Sequence, residues 1–198
     1  MSSLEGFHRF DRAVFVVAVC FVALVGCDIF DTRDAEIPGT GGTPWVPPSL
    51  PAQVFLNLES GLEDLTGANY EKSLADVFAF TPSAADVEKL GPDVYADWTK
   101  AVEMSVTDLI LNDSKSVTVE FIKTQIRDEA DYAAFRVTYQ LVVTNTRDET
   151  ETYKGVAQFD MQRVAGNWQL IGWIDQEGVE GFATWGYLRG ITRSPNAM

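Results

Sequence analysis

Cysteine and histidine are nearly missing from this chain of 198 residues, and the few present lie at one end: Cys20, Cys27 and His8. Beyond residue 27 there is neither thiol nor imidazole. That stretch can form no internal disulfide, no zinc site built on His or Cys pairs, and no Ser-His or Cys-His nucleophile. Acid–base chemistry there would fall to Asp, Glu, Lys or Tyr. Positive charge is scarce as well: 15 Lys and Arg stand against 29 Asp and Glu, a formal charge of −14. A nucleic-acid partner is excluded on that balance, because phosphate backbones are bound by basic patches that release counterions. Electrostatic adhesion to anionic lipid is disfavoured for the same reason. Phosphate-cradling Gly-rich loops, CxxC pairs, EF-hand loops and nucleophile elbows are all absent.

What is present is a globular composition, 46% hydrophobic and 22% charged, with room for one domain plus a leader and a linker. Arg9 and Arg12 precede "AVFVVAVCFVAL", twelve apolar residues in a row. A membrane span needs about 20, so this run has the length of a signal-peptide core instead. It ends in "LVGC", residues 24–27, which resembles the lipobox of bacterial lipoprotein precursors. The resemblance implies cleavage after Gly26, a diacylglyceryl thioether on Cys27 and an acylated new amino terminus. The mature domain would then sit outside the cytoplasm on a membrane of the cell envelope. Two or three acyl chains, at about 0.8 kcal/mol per buried methylene, make such anchoring essentially permanent. Asp28 resembles the inner-membrane retention signal of enterobacterial lipoproteins, a rule other bacterial groups do not share, so the choice between inner and outer membrane stays open. Residues 28–51, with five prolines and three glycines, read as a linker. The expected organisation is a signal peptide over 1–26, a lipidated cysteine and linker over 27–51, a folded domain over 52–191 and a tail over 192–198.

In the folded domain, Val54, Leu58, Leu62 and Leu65 share one helical face. Gly67 reads as its stop and Asn69 as the cap of a second helix carrying Tyr70, Leu74, Val77 and Phe78. Ser83 caps a short helix that ends at Gly91-Pro92. A third helix is expected from about residue 92 to 111, burying Val94, Trp98, Val102, Ser105 and Leu109. After Asn112 the period becomes two: Val117, Val119 and Phe121, then Phe135 to Val143, then Tyr153 to Met161, alternate with polar residues. Gly166-Asn167 predicts a tight hairpin into "WQLIGWIDQ". The fold class is therefore α+β, with N-terminal helices packed on a curved antiparallel sheet.

"NYEKSLADVFAFTP" (69–82), "YKGVAQFDMQRVAGNWQLIGWIDQ" (153–176) and "TWGYLRG" (184–190), in this order of elements, resemble the nuclear transport factor 2-like and ketosteroid isomerase superfamily, a cone-shaped, cystatin-like fold. The resemblance implies a cone that carries either a ligand pocket or a binding surface. The catalytic sets of its enzymes cannot be matched residue by residue, and the missing histidine removes the dehydratase pattern. The candidate acid–base residue is Asp175, with Tyr139 or Tyr153 as hydrogen-bond donor. In a regular hairpin Trp173 and Asp175 point away from the core; a β-bulge at Gly172 would turn them inward beside Trp168 and Leu170. Inside, Asp175 would serve either as a general base or as a carboxylate that ties "TWG" to the sheet. Trp98, Tyr139, Tyr153, Trp173, Asp175 and Trp185 are the pocket candidates, though Trp98, Tyr139, Tyr153 and Trp185 read more readily as ordinary core aromatics. Asp64, Asp76, Asp86, Glu88, Asp93, Asp97 and Glu103 form no metal-ligand spacing and read as a solvated helical face. Neither metal nor cofactor is expected. The expected partners are the membrane through Cys27, a small apolar ligand or a protein, and a second copy through the sheet. The leading expectation is a non-catalytic envelope lipoprotein, and the competing one a histidine-free isomerase or lyase using Asp175.

Overall fold

The period-two pattern of the C-terminal half becomes four successive antiparallel strands in the computed structural model, which describes residues 42–194. These are β2 (Ser114–Asp128), β3 (Tyr132–Asn145), β4 (Thr150–Val164) and β5 (Asn167–Gly178). Before them come α1 (Pro51–Glu63), α2 (Ala68–Ser73), β1 (Leu74–Thr81), α3 (Ala84–Leu90), a 3-10 turn (Pro92–Tyr95) and α4 (Lys100–Asn112); α5 (Trp185–Arg193) closes the chain. The sheet order is β1-β5-β4-β3-β2, with β1 parallel to β5. This is the expected α+β class: the helices pack on one face of the sheet around a single core cluster. Among the described residues no helix is long and apolar enough to cross a membrane. Cys27, the expected signal peptide before it and the first part of the expected linker lie outside the described residues.

Helix α1 buries Val54, Leu58 and Leu62 as its spacing predicts, and Ser83 Oγ accepts from the Asp86 amide at the start of α3. The second helix is shorter than expected. It stops at Ser73, and residues 74–81 form β1 instead. Leu74, Val77 and Phe78 have helical spacing, but pairing with β5, where Phe80 lies opposite Trp173, supplies backbone partners and buries Leu74, Ala75, Phe78 and Phe80 together. Tertiary pairing overrides a weak local preference. The third helix also starts late, at Lys100. A bridge between Ala79 and Thr99 and the Phe80 amide's bond to the Trp98 carbonyl hold residues 98–99 extended. Its buried face is consequently Glu103, Val106, Thr107 and Leu111, while Leu109 is exposed.

The β4–β5 turn is Ala165-Gly166, one residue earlier than expected, with both φ angles positive (49° and 87°) as a tight primed hairpin requires. Beyond it the register breaks. Met161 lies opposite Leu170 but Asp160 lies opposite Gly172, which leaves Ile171 as a bulge. The face of β5 flips there, and Trp173 and Asp175 turn inward with Trp168 and Leu170.

The last part of the stretch expected as linker lies along the domain. The Asn69 side-chain amide donates to the Thr43 carbonyl at 2.7 Å, that of Asn57 donates to the Val46 carbonyl at 2.8 Å, and the Trp168 amide donates to the Pro48 carbonyl at 2.8 Å. Residues 43–48 thus form a strap running back along α1.

Candidate functional site

The inward turn of β5 sets Asp175 against the first turn of α5. Asp175 Oδ1 accepts from the Trp173 indole at 2.7 Å; its Oδ2 accepts from the Gly186 amide at 3.0 Å and from the Tyr139 hydroxyl at 3.3 Å. Tyr139 in turn accepts from the Trp185 amide at 3.1 Å. A carboxylate at the N-terminal end of a helix meets unpaired amides and the positive end of the helix dipole. Gly186 is what permits the approach: a Cβ there would stand 2.6 Å from Asp175 Oδ2 and 3.0 Å from Asp86 Oδ2. Across the β3–β4 pair, a side chain at Gly155 would run into the Tyr139 hydroxyl.

Burial pushes the Asp175 pKa up to about 6, against the pull of the Arg189 charge and the Trp173 and Gly186 hydrogen bonds, with the Asp86 charge adding to the rise. Burial, and then the Asp175 charge, drive the Tyr139 phenol far upward, so it stays protonated and donating.

Two acids expected on a solvated face are instead buried. Asp86 is 1% exposed and accepts from Ser83 Oγ at 2.8 Å and Thr184 Oγ1 at 2.7 Å, while Thr184 Oγ1 also caps α5 by accepting from the Tyr187 amide. Glu103 is fully buried. Its Oε1 takes Arg189 at 2.7 and 3.1 Å and Tyr70 at 2.5 Å; its Oε2 takes the Trp98 indole at 2.7 Å. Glu103 is buried with both oxygens partnered, and Asp86 with two hydroxyl donors on Oδ2. Sequence reasoning gave Arg189 no role and read Tyr70 only as a residue of the second helix; the signal available was an arginine inside the quoted "TWGYLRG". The Arg189 guanidinium also lies 4.0 Å from the Trp173 ring centre, 4.5 Å from Phe80 and 4.9 Å from Trp185.

Five of the six pocket candidates, Trp98, Tyr139, Trp173, Asp175 and Trp185, therefore meet in one packed interior. Trp173 and Trp185 stand edge to face at 4.7 Å, and Phe159 packs on Trp173 at 4.2 Å. Tyr153 belongs to the core cluster but turns its hydroxyl to Glu151, and it lines a surface cleft of about 460 Å³ with Val143, Leu188 and Ile191. A second cleft, of about 400 Å³, opens between the start of α1 and the Trp168 end of the sheet. No group of acidic, His or Cys side chains among the described residues could hold a metal ion.

No family model and no curated protein matches the chain. Solved structures do. One from Novosphingobium aromaticivorans, provisionally described as a scytalone dehydratase, is 8% identical with a TM-score of 0.54, covering 65% of this chain and 81% of that one. Another from the same organism, provisionally described as an aromatic ring hydroxylase, is 10% identical with a TM-score of 0.53 over 64% and 85%. A nuclear transport factor 2-like superfamily protein from Salmonella enterica serovar Typhimurium is 6% identical with a TM-score of 0.50 over 65% and 89%. At such identities the likeness speaks for architecture, not chemistry. The chain has the nuclear transport factor 2-like fold.

Proposed function

We propose that this protein is a lipoprotein of a bacterial cell envelope, held on the membrane through acylated Cys27, and that its cone-fold domain is a non-catalytic binding module. The anchor rests on "LVGC" at residues 24–27 and the apolar run before it. The binding half is carried by one observation: the carboxylate best suited to acid–base work is already in use. Both oxygens of Asp175 hold donors from the chain itself, and Trp173, Tyr139, Trp185 and Arg189 fill the space around it. A general base must come within hydrogen-bond reach of a substrate proton, and here those directions are taken by the "TWG" turn. Asp175 is thus a tie between sheet and C-terminal helix. The partner is a small apolar ligand in a surface cleft or a protein, a second copy included, on the outer sheet face, where Val142, Val156 and Ile174 lie half-buried.

The competing reading, an isomerase or lyase using Asp175 with Tyr139, draws on the carboxyl's pKa of about 6 and on the provisional descriptions of two structural neighbours. Tyr153 has no place in it, since its hydroxyl serves Glu151.

The test is to purify the full protein from membranes, take the intact mass of its N-terminal peptide and identify what co-purifies. A peptide starting at a diacylglyceryl-modified Cys27, lost from membranes as Cys27→Ser, supports the anchor. An uncleaved leader, or membrane-bound Cys27→Ser, sinks it. Turnover by wild-type protein that vanishes in Asp175→Asn, with the fold intact, would replace the binding module with the enzyme.

A further inference from the structure

We infer that the cleft of about 400 Å³ between the start of α1 and the Trp168 end of the sheet binds a small apolar molecule bearing one carboxylate. The inference deepens the binding-module reading and rests on it. The volume lies within the range of small-molecule sites. The cleft draws on Leu50 and Pro51 at the helix start, Lys123 of β2, Phe135 of β3, Arg163 of β4 and Trp168 of β5.

Trp168 supplies the first pointer. Its ring is buried and its main-chain amide is satisfied by Pro48, yet its indole N–H has no acceptor among the described residues. One other buried side-chain atom shares that condition, Arg189 Nη1. That guanidinium has Glu103, Tyr70 and three aromatic faces around it. Trp168 has no such substitute. Buried donors are normally paired, and an orphan beside a cleft calls for an explanation.

Charge supplies the second. The Lys123 ammonium lies 4.9 Å over the Phe55 ring; its charge is felt by Glu59, but among the described residues no carboxylate is within ion-pair distance of it. Arg163 lies 5.3 Å over the Trp168 ring, and its one ionic partner, Asp131, is 3.5 Å away and mostly exposed. Two cations on aromatic faces thus flank an aromatic floor. Asp128 and Glu129 complete the lip, with Glu129 engaged by Arg127 at 3.7 Å. Those acids would repel a second negative charge and so favour a monoanion. An apolar chain or ring laid on Phe135 and Trp168 would set its carboxylate among the donors of the cleft wall, Lys123, Arg163 and the Trp168 indole. The indole nitrogen is shut off from solvent, so an acceptor reaches it only once a neighbouring side chain moves.

The test uses the full chain with 15N-labelled tryptophan, sodium octanoate as probe and 1-octanol as the uncharged control. The Trp168 indole resonance is identified as the one lost in Trp168→Phe. Octanoate should shift that resonance saturably, octanol should bind roughly tenfold more weakly or worse, and Lys123→Gln should weaken octanoate by about tenfold, the worth of one charge-assisted contact. The inference is overturned if the resonance stays put at ~10 mM octanoate, where even a Kd near 1 mM approaches saturation. It is equally overturned if octanol binds as well as octanoate, or if Lys123→Gln changes nothing. A shift confined to the Trp98, Trp173 and Trp185 resonances would move the ligand to the interior, overturning this site while leaving the binding module standing. With no shift anywhere, this site alone falls, because the module is judged by what co-purifies.

Discussion

Two tryptophans on one strand, Trp168 and Trp173, lie on either side of the β5 bulge and differ in one respect. Both are buried, but the Trp173 indole N–H donates to Asp175 whereas that of Trp168 has no acceptor among the described residues. Past the bulge the polar groups are committed to one another: Asp175 to α5, Asp86 to Thr184, Glu103 to Arg189. Before it, a donor and two cations border a cleft. Matched groups hold a fold together; unmatched ones beside a cleft are where something else fits. The sharpest way to break the committed half is Arg189→Met. It leaves Glu103, fully buried, without its counter-charge, at a cost of ~3–5 kcal/mol. For a domain of this size that is a fall in Tm of about 10 °C or more, readable by calorimetry.

Trp173→Phe comes next, at ~2–4 kcal/mol. It removes the donor to Asp175 Oδ1 and opens space beside Phe159 and Arg189. Urea unfolding reads this as a lowered midpoint with the slope unchanged.

Asp175→Asn gives a smaller effect whose size depends on pH. Folded Asp175 holds its proton up to about pH 6, against 3.8 as the ordinary value. A raised acid pKa stabilises the fold most below pH ~4, and that contribution is lost as the pH climbs through 6, a change of ~3 kcal/mol. The asparagine keeps an acceptor for Trp173 but loses the one facing the Gly186 amide, costing ~1–3 kcal/mol. The variant should therefore be clearly less stable than wild type at pH 5 and close to it at pH 8. Equal deficits at both values would show that Asp175 titrates normally.

The same boundary divides what the sequence made legible. The face of α1, the Ser83 cap and the alternation from Phe135 to Val143 in β3 are set by local pattern and can be read directly. The orientation of Asp175 could not be, because one extra residue at Ile171 reverses the side chains from Gly172 to Asp175, and both registers satisfy the same alternation. Leu74, Val77 and Phe78 mimic a helix because β1 owes its state to β5, almost a hundred residues later. Asp86 and Glu103 look like solvated helical acids since their partners, Thr184 and Arg189, are distant in the chain. Burial of a charge is a property of a pair, and the pair is invisible until the chain folds.

Trp168→Phe is the smallest of these changes. If the indole N–H of Trp168 were structural, its loss would match that of Trp173. An unpaired donor already carries its desolvation cost, so its removal gives back about what the smaller ring gives up in contact. The expected change in stability is within ~1 kcal/mol of wild type, measured as the urea midpoint beside that of Trp173→Phe. A loss equal to that of Trp173→Phe would mean that the N–H has a partner within the protein, and the contrast between the two ends of β5 would disappear. A near-silent Trp168→Phe that also abolishes the octanoate-dependent chemical-shift changes of the residues around the cleft would sharpen it, because a side chain that contributes little to folding and much to binding is the mark of a site.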